Sequence, residues 1–458
     1  MATRNSLQSN SAPRRGGADP LFLAIAISCA MLPACDPRSG DSGPGGPTST
    51  TTTVPLDPAA GASKPVDDES LKTATAPARA LIPLSEYDGR IRRILVHVPG
   101  RLLDRVWTPL RDLVRATTPD TLFTLVCDSA GAMKELTDRL RRDGSTDTSN
   151  NSEGDVNTGA QADASLLADR IDLRLVERPT AIWARDRYIS SRSAMTPDDP
   201  LPVWLVPAIL PSIDAARRTG EREIPLLLNH VSPICRVADT PLVLEGGNVL
   251  ATPRHVLIGG NAIRENVATA SPDETRAALA RTFRHRVFLI SDDSGAPPIN
   301  HIDLFITVIG ESHLLVASPR LAADAMADAD EASKTALNER LLITPDMPEP
   351  KGPDFTDRRA GRFDQIGTLL ESAGYRVSRI PYADSRNGDF AVTYNNVLQE
   401  TIDGQRVVYM PVYQIPVLDA AAAKVYQDLG FVVKPIDVTS ICQLLGAIRC
   451  MANVVERD

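Results

Sequence analysis

The chain has 458 residues, a formal net charge of −9, 43% hydrophobic residues and only 4% aromatic ones. That length allows one large domain or two to three ordinary ones, with a core built mainly from Leu, Val, Ile and Ala. The acidic balance, with no Lys/Arg block to offset it, argues against a nucleic-acid partner.

The first segment reads as an export signal. Arg14-Arg15 precede an apolar run from Leu21 to Leu32 that is too short to span a bilayer. The run ends in Leu32-Pro33-Ala34-Cys35, which resembles a bacterial lipobox. The resemblance implies a signal peptide over residues 1–34 and lipidation of Cys35, which would hold the protein to a membrane of the cell envelope, facing the periplasm or the exterior. Ordinary secretion with cleavage nearby is the simpler alternative. Residues 35–80 are rich in Gly, Pro, Ser, Thr and Ala and lack the apolar surface needed to fold, so a disordered, flexible tether is expected there.

From residue 81 to 458 a folded domain is expected. Arg92–Val98 reads as a strand, Leu102–Arg115 as an amphipathic helix, Leu122–Val126 as a strand, and Ser129 as the cap of a helix reaching about Arg142. A polar stretch at 143–164 reads as a surface insertion, and Leu173–Val176 as the next strand. Ser271-Pro272-Asp273-Glu274 is a capping box with proline at the first helical position, opening a helix to Phe283 before a strand at Val287–Ile290. His313–Ala317 is a further strand, and the charged stretch 324–359 is at least partly a second insertion. Helix Phe363–Ala373, strand Tyr375–Ile380, strand Val407–Tyr413, helix Leu418–Leu429 and strand Val432–Val433 follow, and Ser440–Leu445 is a short helix. No sequence repeat is visible, but the strand–helix–strand rhythm indicates an α/β domain of several similar units.

Four polar clusters interrupt this pattern: Trp183-Ala184-Arg185-Asp186, Glu245-Gly246-Gly247-Asn248, Asn300-His301-Ile302-Asp303, and Gly446-Ala447-Ile448-Arg449-Cys450. Each has a bland reading: a surface charge run, a turn, a satisfied histidine, a structural cysteine. Together they supply one thiol, one imidazole and three carboxylates, a set suited to attack on a cationic guanidinium carbon. Trp183 offers a flat wall and Asp186 an anion for a planar cation. On an extended segment His301 and Asp303 face one side. Cys127, Cys235, Cys442 and Cys450 contain no CxxC pair, so a zinc site is not expected, and Cys442 is a possible disulfide partner of Cys450. No glycine-rich loop matches a nucleotide-binding pattern.

The order W-x-x-D, E-G-G-N, H-x-D and a C-terminal Cys resembles the pentein superfamily of guanidino-group-modifying enzymes. The match is to peptidylarginine deiminase and agmatine deiminase relatives above all. The resemblance implies a pseudo-fivefold α/β propeller with the site in its central channel. It also implies Cys450 as nucleophile, His301 as general acid/base, Asp186 and Asp303 as the carboxylates that grip the guanidinium, and Glu245 as the acid that orients the histidine. Trp183, Arg185 and Asn248 are expected to contact the substrate. The implied reaction releases ammonia and leaves a ureido group through a covalent thiouronium. No metal or cofactor is implied; calcium is possible by analogy with animal peptidylarginine deiminases, but no EF-hand loop supports it. The chain departs from agmatine deiminases in carrying Leu445-Gly446-Ala447-Ile448-Arg449-Cys450 for Gly-Gly-Gly-Ile-His-Cys and Arg187-Tyr188 for Gly-Pro. The resemblance therefore does not single out agmatine. An amidinotransferase of the same fold and a lipid-anchored, non-catalytic binding protein are the alternatives.

Overall fold

The computed structural model describes residues 76–143, 170–209, 220–231, 233–343, 352–386, 388 and 390–458. The expected signal segment, Cys35 and nearly all of the 143–164 stretch lie outside them. The described chain begins inside the expected tether: β1 (Ala76–Pro77) pairs in parallel with a strand edge at Ala238–Asp239 through backbone bonds that need no apolar side chains. β2 is Leu81–Pro83.

From there one unit repeats five times: an inner strand, an antiparallel second strand, a helical crossover, and a third strand parallel to the second. The first unit holds β3 (Ile91–Val98), α1 (Leu103–Ala116), β4 (Leu122–Cys127), α2 (Ala130–Asp143) and β5 (Ile171–Leu175). A short helix α3 (Ala184–Arg187) then leads into β6 (Ile189–Ser193), β7 (Val203–Ala208), α4 (Ile224–Val231) and β8 (Arg236–Val243). The next unit is β9 (Val249–Ala251), β10 (His255–Gly259), α5 (Asn261–Glu265), α6 (Pro272–Thr282) and β11 (Arg286–Ile290). The fourth is β12 (Ile306–Gly310), β13 (His313–Ser318), α7 (Pro319–Ala327), α8 (Glu331–Arg340), α9 (Asp357–Ser372) and β14 (Arg376–Asp384), with β15 (Ala391–Thr393) at its edge. The fifth is β16 (Leu398–Ile402), β17 (Gln405–Val412), α10 (Pro416–Asp428) and β18 (Phe431–Asp437). A last short helix α11 (Ile448–Met451) feeds β19 (Ala452–Arg457), which pairs antiparallel with β3 and supplies the first unit's missing inner strand.

Side-chain chemistry explains where the expected elements shift. α6 starts at the expected capping box, with Ser271 and Glu274 bonding each other's backbone N–H. α9 begins at Asp357, ahead of the apolar run at Phe363, because its charged first turns find buried partners: Arg359 pairs with Asp384 and Arg362 with Asp292. The 324–359 stretch supplies α8 and part of α7, and Met326, Leu337 and Leu341 are buried in the core. Inside α1, Pro109 cannot donate to the carbonyl of Arg105; the Ser440 hydroxyl donates to it instead, at 2.6 Å.

Four inner strands are entered through a short helical turn: α3, Gly246–Asn248, Ile302–Leu304 and α11. The fifth, β16, is entered through Asn395-Asn396-Val397. α3 touches both α11 and Gly246–Asn248, and Gly246–Asn248 touches Ile302–Leu304. The Thr393 hydroxyl donates to Leu304 O at 2.5 Å, and Cys450 N donates to Asn396 Oδ1 at 3.1 Å. The five entry segments thus form a closed ring of neighbours.

Candidate active site

The ring of entry segments gathers the polar clusters. Close packing there requires glycine at three points. A Cβ on Gly246 would lie 1.9 Å from Arg185 O, one on Gly247 would lie 2.6 Å from His301 Nδ1, and one on Gly446 would lie 2.7 Å from the Trp183 ring. The half-buried Trp183 ring therefore packs closely against the turn that leads to Cys450.

His301 stands between two carboxylates. Its Nε2 is 2.7 Å from Glu245 Oε2, and its Nδ1 is 3.6 Å from Asp186 Oδ1. Burial disfavours the charged ring, but Asp186, the contact with Cys450 and the bond to Glu245 outweigh it and hold the imidazole well above its ordinary value. Asp186, Glu245 and His301 therefore form a compact trio in which the two carboxylates favour the protonated ring. Glu245 is itself anchored, since its Oε1 accepts from Arg187 Nη2 at 2.7 Å.

Cys450 lies in α11 and is 2% exposed. Its thiol is pushed up to about 11 by burial and by Asp303, against the lowering effect of His301, with Asp186 raising it further. Cys442 does not pair with it; Cys127, Cys235, Cys442 and Cys450 are all free thiols. Asn396, fully buried, donates from Nδ2 to Cys450 Sγ at 3.2 Å.

Asp303 is fully buried. Its Oδ2 accepts from Arg449 Nη1 at 2.6 Å, while its Oδ1 has no hydrogen-bond partner. The guanidinium of Arg449 also donates to both oxygens of Glu86, at 2.8 and 3.2 Å. Arg449 therefore neighbours Cys450 in sequence but turns away to hold Asp303.

Two expected substrate contacts are engaged elsewhere. Arg185 donates to Gly246 O and Val249 O, each at 3.1 Å, and faces Asn453 Oδ1 at 3.3 Å and Glu86 Oε1 at 3.4 Å. Asn248 donates to Asn261 Oδ1 at 2.9 Å, and Asn261 in turn donates to Asn300 Oδ1 at 2.8 Å. Both residues tie the entry segments together rather than face Cys450. The physical reason is the tight helical turn, which fans successive side chains in different directions, whereas adjacency in sequence suggested a shared target.

Sequence reasoning missed Glu86, Asn396 and the role of Arg449. Glu86 sits in an ordinary-looking loop, Pro83-Leu84-Ser85-Glu86-Tyr87-Asp88-Gly89, and no local pattern marks it. Asn396 carries one signal: it stands two residues before β16, as Cys450 stands two before β19. That equivalence is visible only once the fivefold unit is known.

No protein-family model matches the chain, and no curated protein matches it closely in sequence. Solved structures do resemble it. The C. Jejuni agmatine deiminase aligns at TM-score 0.52 and 11% identity over 82% of this chain and 96% of its own. A cysteine-to-serine variant of the C. Jejuni agmatine deiminase with substrate bound aligns at TM-score 0.51 and 10% identity, with the same coverage. A structural-genomics target provisionally described as an agmatine deiminase aligns at TM-score 0.55 and 13% identity, covering 82% of this chain and 95% of its own. At these identities the likeness is one of fold. Five strand–strand–helix–strand units closed by the C-terminal strand, together with this likeness, give the chain the pentein fold.

Proposed function

We propose that the protein is a hydrolase that deiminates a guanidino group, of agmatine, arginine or peptidyl-arginine, to a ureido group and ammonia. The observation that carries this reading is the placing of a doubly carboxylate-paired imidazolium, His301, against a buried thiol, Cys450, with a buried carboxylate oxygen of Asp303 left without a partner. A thiol, an imidazolium and a buried carboxylate oxygen of Asp303 open to a donor suit a planar cation better than a neutral or anionic substrate.

The chemistry follows from the charges. In the free site the flanking carboxylates favour a protonated His301, and burial together with Asp303 favours Cys450 as a thiol. A guanidinium entering between Asp186 and Asp303 offsets the two carboxylates that raise the thiol, so on substrate binding Cys450 releases its proton to solvent and becomes a thiolate. The Cys450 sulfur adds to the guanidinium carbon. His301 gives its proton to the departing nitrogen as the C–N bond breaks, and ammonia leaves. The neutral imidazole then takes a proton from water, whose oxygen adds to the same carbon. The C–S bond breaks to give a thiolate and a protonated urea. The urea passes its proton to the Cys450 sulfur and departs, leaving Cys450 a thiol and His301, with the proton taken from water, an imidazolium. Glu245 keeps the ring oriented through both halves. No metal takes part in the bond-making in this scheme. The active domain is held at the cell envelope by a lipid on Cys35.

The test is to incubate the full chain with agmatine, free arginine and an arginine peptide, with and without calcium, and to measure ureido product and ammonia against Cys450→Ala. Product that vanishes in the variant supports the reading and selects the substrate. Equal product from Cys450→Ala sinks the mechanism. Turnover that appears only when an amine acceptor is added makes the protein an amidinotransferase.

A further inference from the structure

Four of the five entry segments contribute a side chain with a role in the scheme above: Asp186, Glu245, His301 with Asp303, and Cys450. The segment before β16 contributes Asn396. We propose that Asn396 is a functional member of the site, a neutral hydrogen-bond donor that holds the Cys450 sulfur in place and stabilises it as a thiolate.

The orientation of the Asn396 amide is settled by its partners. The backbone N–H of Cys450 can only donate, so the atom facing it at 3.1 Å must be Oδ1. That leaves the Nδ2 hydrogens directed at Sγ, 3.2 Å away. One side chain therefore clamps both the backbone and the sulfur of the same residue. Its own segment has little freedom. Asn395 Nδ2 donates to Thr307 Oγ1 at 3.0 Å and to Leu315 O at 2.9 Å, and Val397 N donates to Asn395 O at 2.9 Å.

The surroundings explain why a neutral donor suits this position. The charged and titratable groups that act on Cys450 are Asp303, Asp186 and His301, with Tyr413 nearby. Two of these are carboxylates, which oppose a thiolate. Arg449 is turned toward Asp303 and Glu86. A further cation beside the sulfur would help the thiolate but would compete with a guanidinium for Asp186 and Asp303. An amide N–H stabilises the anion without adding charge, because a hydrogen bond to a charged acceptor is worth more than one to a neutral one. A thiol sulfur accepts weakly, so the bond from Asn396 gains most when Cys450 ionises.

This inference rests on Cys450 as the nucleophile of the proposed function, but its test needs neither substrate nor turnover. The full chain, Asn396→Ala and Asn396→Asp are reacted with iodoacetamide across a range of pH, and the Cys450 adduct is quantified by peptide mass. Asn396→Asp keeps the shape and the acceptor for Cys450 N–H but replaces the donor by a carboxylate oxygen, so it remains informative if Asn396→Ala folds poorly. The expected result is slower alkylation of Cys450 at pH 8, about tenfold in Asn396→Ala and more in Asn396→Asp. The pH midpoint should move upward, with urea unfolding of Asn396→Asp close to that of the full chain. An unchanged midpoint and rate in folded Asn396→Asp would reduce Asn396 to a structural residue and overturn the proposal, as would a Cys450 that resists alkylation at every pH in the unaltered protein. A shifted profile in a protein that deiminates nothing would leave this proposal standing and remove the proposed substrate class.

Discussion

Glu86 grips the guanidinium of Arg449 with both of its carboxylate oxygens, at 2.8 and 3.2 Å, from a loop that precedes the first unit. Arg449 passes the constraint on to Asp303 through a 2.6 Å bond. In Glu86→Gln this chain loses its charge while keeping its shape. The expected outcome is a kcat lower by about 10- to 100-fold from the loosened Asp303. Stability should fall by about 3 kcal/mol, the low end for breaking a buried ion pair. Steady-state kinetics and urea unfolding check the two parts separately.

Glu245→Gln removes one of the two carboxylates that keep His301 protonated. The imidazole value should drop. A mechanism that starts from imidazolium then loses activity at a lower pH than the unaltered protein, so the alkaline limb of the kcat/KM profile should move toward acid. An alkaline limb that stays in place would show that His301 does not set it.

Asp186→Asn keeps the side chain's size and its place in α3 but removes the charge offered to a cation. Binding should weaken by ~1.5–3 kcal/mol, roughly 10- to 150-fold in KM, the range for a hydrogen bond to a charged group. Loss of kcat with KM unchanged would point instead to a role in holding His301.

His97 predicts a pH effect on stability that is separate from the site. It is fully buried in β3, donates from Nδ1 to Ala181 O at 3.1 Å, and has no partner on Nε2. Burial pulls it down to about 4, with the Ala181 bond opposing and Arg187 assisting. Its folded-state value lies below the unfolded one, so the stability tied to its neutral form is complete above about pH 6.5 and is lost as pH falls toward 4. Between pH 7 and 5 the folded state should lose about 2 kcal/mol through this group. Urea midpoints of His97→Leu compared with the unaltered chain at both pH values measure it, and the difference between them should shrink at pH 5.

Much of the architecture was legible because local rules applied locally. Ser271 and Glu274 announced a helix start, and Leu122–Val126 and His313–Ala317 announced buried strands. The second unit was not legible. Its inner strand reads Ile-Ser-Ser-Arg-Ser, with buried serines, and its next strand contains Pro207. Neither shows the apolar alternation that marks a strand. The fivefold repeat was hidden because each unit fills its crossover differently, with the single helix α10 in one and α7, α8 and α9 in another. The site was legible where chemistry clusters along the chain, as in His301-Ile302-Asp303. It was illegible where partners meet only in space: Glu86 and Arg449 are 363 residues apart, and Asn396 and Cys450 are 54 apart.

The pairing of β19 with β3 ties the placing of Cys450 to a distant part of the chain. The chain's last strand completes its first sheet, and Cys450 enters on the turn immediately before that strand. That pairing sets Asn453 beside Leu95, a contact between segments far apart in sequence and so of the kind that forms slowly. The position of Cys450 thus depends on a long-range contact and not on its local sequence alone. Removing β19 would take the inner strand from the sheet of β3 and release the turn that carries Cys450, so one change would cost both a strand pairing and the placing of that thiol.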